Sequence, residues 1–247
     1  MKDKKMPKLL DDAIKHNTHD IDVITKHLKL PWLKLDLDFG VWSDTDIASL
    51  RTSDDWRTKW KFSNGLENSY QVKNWNGRLL FGPEKFHDFL ELSNANEHDH
   101  DEDSKCRFYR EKFKYAWHET NTISEKINAV IPDHDLNLVN SYVLPAGGYV
   151  FPHRDYAVDN MGLAKIYIAA KWSDGNVFGQ YGCGDIPIKQ GDVFLINNYT
   201  LPHWVRNGSA DDRIVIDISA NLHSSKIKDS IIRSFKKCFG QVSAGNI

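Results

Sequence analysis

The sequence predicts a mainly β protein with added helices, its core a double-sheet jelly roll. Three observations lead there. From residue 136 to 220, short β-rich runs recur at about 8–12-residue spacing, punctuated by Gly, Asn or Asp, which is the rhythm of a sandwich or barrel. Over residues 8–29, 122–131 and 224–239, apolar residues fall at helical spacing instead. The chain has 247 residues, enough to bury roughly 70–75% of its unfolded surface without staples.

Taken in order, residues 8–29 place Leu9, Leu10, Ile14, Ile21, Ile24 and Leu28 at helical spacing, with a break near Asn17 or Thr18. "PWLKLDLDF" (31–39) sets Trp32, Lys34, Asp36 and Asp38 against Leu33, Leu35, Leu37 and Phe39, the alternation of a half-buried strand. Residues 40–82 read as short strands and loops, with turn signals at Asn64-Gly65 and Asn76-Gly77. "PEKFHDFLEL" (83–92) opens on Pro and predicts a short helix. "SNANEHDHDEDSK" (93–105) has His98 and His100 among five acids, but no apolar residue larger than Ala95 to pack a fixed ligand shell, so it reads as a solvated loop. "TISEKINAVI" (122–131) is a helix stopped by Pro132.

Strands are then expected at 136–144, 148–153, 163–171, 176–181, 185–188, 192–197, 202–206 and 212–220. "SSKIKDSIIRSFKKCF" (224–239) closes the chain as an amphipathic helix with Ile227, Ile231, Ile232 and Phe235 on one face. Residues 1–134 are thus a helical and mixed layer packed on a core at 135–247, one compact domain in all.

The 32 basic and 34 acidic residues leave a net charge of −2, which gives no reason to expect nucleic acid or a membrane as partner. No run approaches the ~20 apolar residues of a membrane span. "MKDKKMPKLLDDAIKH" has basic residues but no apolar stretch of a secretory signal. Cys106, Cys183 and Cys238 are widely spaced without a CxxC, as expected of reduced thiols in a cytoplasmic protein. Oligomeric state is not legible.

The chemistry centres on "FPHRDY" (151–156). In a strand, His153 and Asp155 project to one face. "NNYTLPHWVRN" supplies His203 just before an Asn207-Gly208 turn. Two His and one carboxylate make the facial triad of non-haem Fe(II) sites, although zinc also accepts that set. Arg213 opens "RIVIDIS", where Arg213, Val215, Asp217 and Ser219 share one face and Ile214, Ile216 and Ile218 the other. "LAKIYIAA" repeats the pattern, with Lys165 and Tyr167 opposite Ala164, Ile166 and Ile168.

A five-carbon oxo-dicarboxylate fits this arrangement. Its oxo-acid end would chelate the metal, and its far carboxylate would meet the planar Arg fork. Two positive charges on Fe(II) and one on Arg213 would balance one negative charge on Asp155 and two on the ligand, as a dry site requires. The competing reading of Arg213 is a structural ion pair with Asp217 or Asp185. Trp117, Trp172 and Trp204 suit packing better than substrate stacking, and Cys183 is given no chemistry.

"YVLPAGGYVFPHRDY", "GDVFLINNYTLPHWVRN" and "RIVIDIS", covering roughly 135–222, resemble the aspartyl/asparaginyl β-hydroxylase branch of the Fe(II)/2-oxoglutarate-dependent oxygenases. The most specific part is His-Trp-Val-Arg-Asn (203–207) followed by Arg213 and Asp217. The resemblance implies a cupin-like double-stranded β-helix. It implies that His153, Asp155 and His203 hold the catalytic Fe(II) and that Arg213 holds the distal carboxylate of 2-oxoglutarate. Tyr142 matches a position for a hydroxyl that helps hold this cosubstrate. Lys165 stands where the family often has Arg, with Tyr167 beside it. Arg154, Trp204 and Asn207 are the candidate substrate contacts.

The implied reaction uses O2 and 2-oxoglutarate to hydroxylate a carbon of an amino-acid residue in a peptide or protein, releasing succinate and CO2. A free amino acid is the close alternative substrate. The rivals are a non-catalytic cupin-like binder of a metal or small acid, and a zinc hydrolase, for which no general base stands out.

Overall fold

The structure, a computed structural model, describes residues 30–51, 72–73, 75–85, 88, 112–154, 163–198 and 201–239. The helices expected at 8–29, most of 83–92, the loop 93–105, Cys106 and Asp155 lie outside these residues.

The described strands are β1 (Trp32–Lys34), β2 (Val72–Lys73), β3 (Asn76–Pro83), β4 (Tyr115–Trp117), β5 (Leu136–Leu144), β6 (Tyr149–His153), β7 (Leu163–Lys171), β8 (Asn176–Gln180), β9 (Gly184–Asp185), β10 (Val193–Ile196), β11 (His203–Asn207) and β12 (Arg213–Asn221). They form a larger sheet ordered β1-β10-β7-β12-β5-β3-β4 and a smaller one ordered β2-β6-β11-β8-β9. From β5 onward the chain passes between the sheets so that β10-β7-β12-β5 faces β6-β11-β8-β9, all pairs antiparallel. That connectivity is a jelly roll, the double-stranded β-helix.

The alternation in "RIVIDIS" sorts the two faces of the larger sheet. Ile214, Ile216 and Ile218 join Ala164, Ile166 and Ile168 in an outer core. The helices α2 (Thr122–Val130) and α3 (Ser225–Phe239) cover it with Ile123, Ile127, Ile227, Ile231 and Phe235. Each such side chain contributes about 1.5–3 kcal/mol when fully buried. Between the sheets lies a second, smaller core of Leu144, Val150, Phe178, Ile186, Phe194, Ile196 and Val205.

The described residues before 134 do more than lie on this core. β1 extends the larger sheet at one edge, and β3 and β4 extend it at the other. Leu33, Leu35 and Phe39 are buried as their alternation predicts. β1 nonetheless ends at Lys34, because after Leu35 donates to the Val193 carbonyl the Asp36 N–H turns to Ser234 Oγ on α3 (2.8 Å). Two local expectations are corrected. Asn76-Gly77 opens β3 rather than forming a turn. Gly77 sets no side chain opposite Tyr142, and Trp75 stacks on that ring (centroids 4.6 Å). Pro83 ends β3 rather than starting the expected helix, of whose later residues the described one, Asp88, is helical.

A helix not foreseen, α1 (Asp44–Leu50), sits in the segment read as strands and loops. Ser43 and Asp46 form its capping box, and Asp46 also accepts from Thr122 Oγ1 and Lys126 Nζ of α2, both at 2.5 Å. Its last carbonyls are taken by Arg78, donating to Ser49, and by Ser141 Oγ, donating to Leu50. Among the described residues no helix is long and apolar enough to cross a membrane.

Candidate metal centre and anion pocket

His203 begins β11 and His153 ends β6, paired across the two strands. Residues opposite each other in an antiparallel pair share a face. Val205 lies opposite Val150, so an even ladder would put Pro152, not His153, opposite His203. The register slips by one residue between these pairs. This β-bulge falls at Phe151-Pro152, where the proline has no N–H to give the ladder. Its effect is to swing His153 from the outer face, shared by Tyr149 and Phe151, to the inner face beside His203. The imidazole centroids are 4.2 Å apart.

Each ring is held. Phe178 stacks on His203 (5.4 Å, 6°), which is itself buried. His153 is at the exposed rim, its Nδ1 2.9 Å from the Phe151 carbonyl. A protonated Nδ1 donating to that oxygen leaves the Nε2 lone pair for a metal. Asp155, the expected carboxylate ligand, lies outside the described residues. Among the described residues no cluster of three His, Cys, Asp or Glu occurs.

The second feature is a buried cation. Arg213 opens β12 and is 1% exposed. Its guanidinium lies over the Trp172 ring at 4.7 Å and donates to the Tyr167 hydroxyl. Nε and Nη2 are buried and have no hydrogen-bond partner. Burial pushes its pKa down to about 10, with Tyr167 opposing the fall, so the group is charged at neutral pH. No carboxylate among the described residues pairs with it. Asp217, the partner offered by the structural reading, is instead 3.0 Å from Lys165 Nζ, both buried.

A buried guanidinium with two open donors is costly unless something fills the place, since an unmet buried donor costs about 1–3 kcal/mol. A carboxylate meeting Nε and Nη2 side-on has the right charge and shape.

Lys165 and Tyr167 are on the face of β7 turned between the sheets, where Tyr167 meets Phe178 edge-on at 5.3 Å. Tyr142 is buried on the same face of the larger sheet as its neighbour Gly77, under Trp75. The three candidate substrate residues fare differently. Arg154 is exposed beside His153. Trp204 alternates with His203 and so lies on the outer face, over Gly179, where any Cβ would come within 2.3 Å of its ring. Asn207 is a loop anchor rather than a substrate contact: its Nδ2 donates to Leu144 and Asp211 carbonyls and its Oδ1 accepts from Ser209. The sequence reading passed over Trp172 as packing, although its place just after β7 sets it against Arg213.

No protein-family model and no curated protein matches the chain. Solved structures with partial likeness include an oxidoreductase of the 2OG-Fe(II) oxygenase family from Burkholderia pseudomallei, 10% identical over 62% of this chain and 69% of that one, with a TM-score of 0.39. A prolyl-4-hydroxylase from Pseudomonas putida is 12% identical over 85% and 97%, with a TM-score of 0.37. A predicted oxalate decarboxylase from Thermotoga maritima is 26% identical over 35% and 68%, with a TM-score of 0.27. Likenesses this partial say nothing about activity.

Proposed function

We propose that the chain is an Fe(II)- and 2-oxoglutarate-dependent oxygenase that hydroxylates a carbon of an amino-acid residue in a peptide or protein. The observation that carries this reading is Arg213, a buried cation with two open donors, in the same fold as a paired His153 and His203. The donor set suits the group. Two neutral imidazoles presented from neighbouring strands, with Asp155 two residues beyond His153, would hold Fe(II) and leave positions open. Bound together, Fe(II), 2-oxoglutarate and O2 supply the oxidising chemistry, with succinate and CO2 as co-products.

The protein supplies position and charge. Arg213 fixes the distal carboxylate through Nε and Nη2, and Trp172 covers the guanidinium and keeps water away. Tyr167 holds the guanidinium in place, and Tyr142 lends a hydroxyl to the cosubstrate. Lys165 faces the interior with its charge balanced by Asp217, so it adds a donor without adding net charge. Arg154 at the rim is the remaining substrate contact.

The test is mass spectrometry over a panel of peptides and free amino acids, with Fe(II), 2-oxoglutarate and O2. A +16 Da peptide product formed with equimolar succinate is expected. Modification of free amino acids alone would move the reading to the small-molecule hydroxylase. A protein that binds Fe(II) but neither binds nor consumes 2-oxoglutarate would overturn it in favour of a cupin-like binder.

A further inference from the structure

Across the smaller sheet, His153, His203 and Gln180 stand in one row, each directly opposite the next on β6, β11 and β8. All three share the inner face. Gln180 is fully buried. Its Nε2 donates to the Asn197 carbonyl at 2.5 Å, which fixes which end of the amide is which, because only the nitrogen can face a carbonyl oxygen. Its Oε1 is buried without a hydrogen-bond partner. An acceptor left unmet there costs about 1–3 kcal/mol, so a glutamine is a poor filler unless a donor comes to it.

We propose that Gln180 is a positioning residue for His203. Its Oε1 accepts the N–H of the ring nitrogen that His203 turns away from the metal. Nδ1 of His203 is fully buried, which leaves Nε2 for the metal and Nδ1–H for Gln180. A metal-bound imidazole needs such an acceptor to fix its tautomer and ring orientation and to raise its basicity. His153 already has one in the Phe151 carbonyl. Gln180 gives His203 the equivalent from the neighbouring strand. The two side chains are adjacent in the row without being hydrogen-bonded to each other in the structure. The bond closes as the ring settles on a metal. The inference rests on the metal site proposed above.

The test uses Zn(II) as a diamagnetic stand-in for Fe(II), with Gln180→Met and Gln180→Glu. Both variants lose the donor to Asn197; Gln180→Glu keeps an acceptor and adds a negative charge, so the His203 tautomer, rather than affinity alone, reports the acceptor. Long-range 1H–15N spectra of histidine-labelled, Zn(II)-loaded protein read the His203 tautomer, and calorimetry reads Zn(II) affinity. Wild type and Gln180→Glu are expected to show a single Nδ1–H tautomer for His203. Gln180→Met should mix the tautomers and bind Zn(II) about 10–100-fold more weakly, while His153 keeps its tautomer in all three. An unchanged His203 tautomer and affinity in Gln180→Met would overturn the role of Gln180. Failure of wild type itself to bind Zn(II) or Fe(II) would overturn the metal site, and the role of Gln180 with it.

Discussion

Replacing Arg213 by Met removes the charge but keeps most of the apolar stem. Burial pushes the Arg213 pKa down from the usual guanidinium range to about 10, a net cost of roughly 3 kcal/mol at ~1.36 kcal/mol per pKa unit. The sign follows from burial disfavouring the charged form. The cost is fully present at neutral pH, where the group is protonated folded and unfolded, and is relieved only as pH rises above about 10. That figure is already net of the Tyr167 hydrogen bond, and against it stands the contact with Trp172, worth about 2 kcal/mol when desolvated. These nearly cancel, so Arg213→Met should leave the ligand-free protein within about 1 kcal/mol of wild type in urea unfolding.

Breaking a buried structural ion pair would instead cost about 3–5 kcal/mol. The same variant loses two charge-assisted hydrogen bonds to the cosubstrate, each worth about 1.5–3 kcal/mol. Its 2-oxoglutarate affinity should therefore fall at least a hundred-fold, at ~1.4 kcal/mol per decade. Calorimetry with Mn(II) in the absence of O2 measures this. A loss of 3 kcal/mol or more in the ligand-free protein, with 2-oxoglutarate affinity unchanged, would refute the anion pocket and restore the structural reading.

Deleting Pro152 removes the extra residue and sets His153 opposite His203 in an even ladder, so it should stay on the inner face beside His203. Metal affinity in calorimetry should stay within about ten-fold of wild type with circular dichroism unchanged, and a larger loss would refute this account of the bulge. Lys165→Met breaks the buried pair with Asp217 and should cost about 3–5 kcal/mol, most of it regained in Lys165→Met/Asp217→Leu; urea unfolding of both variants distinguishes this from a purely cosubstrate-binding lysine, which would leave stability unmoved. Burial would raise the Asp46 pKa, but hydrogen bonds from Lys126, Thr122 and Ser43 outweigh it and hold the carboxyl well below the usual range. Its stabilisation is present above about pH 4 and is lost as pH falls below that. The stability gap between wild type and Asp46→Asn, read by unfolding at pH 2 to 7, should therefore narrow on the acid side.

Seven of the eight strands of the jelly roll were legible because each buries one face or both and turn residues mark the gaps; the strand expected at 185–188 is only the exposed pair Gly184–Asp185. The two faces of "RIVIDIS" could be read from alternation alone, as could the inward side of β7. The bulge at Phe151-Pro152 could not, because period-two reasoning places residues by parity and a bulge breaks parity. It is also what joins His153 to His203. The partner of Asp217 was equally hidden: Lys165 and Arg213 share its face, and only the β12–β7 register, setting Lys165 opposite Ser219 beside Asp217, chooses between them. Helix α1 had a visible signal in Ser43 and Asp46, the spacing of a capping box. It was passed over because so short a helix has no apolar period to read.

Asp36 joins two distant parts of the chain. Its N–H donates to Ser234 Oγ and its carbonyl accepts from Ser230 Oγ, contacts spanning 198 and 194 residues. β1, immediately before it, pairs with β10. The edge of the larger sheet is therefore sealed by a segment synthesised before α3, which has to wait for α3 to be made. Contacts of such long range are slow to form and leave strand edges open meanwhile. During synthesis, α3 acts as the latch for β1 and Asp36. A ribosome stalled before α3 would hold a chain whose jelly roll is fully translated but whose β1 is not yet clasped. Limited proteolysis of such stalled chains would cut near Asp36, at a site that the finished protein protects.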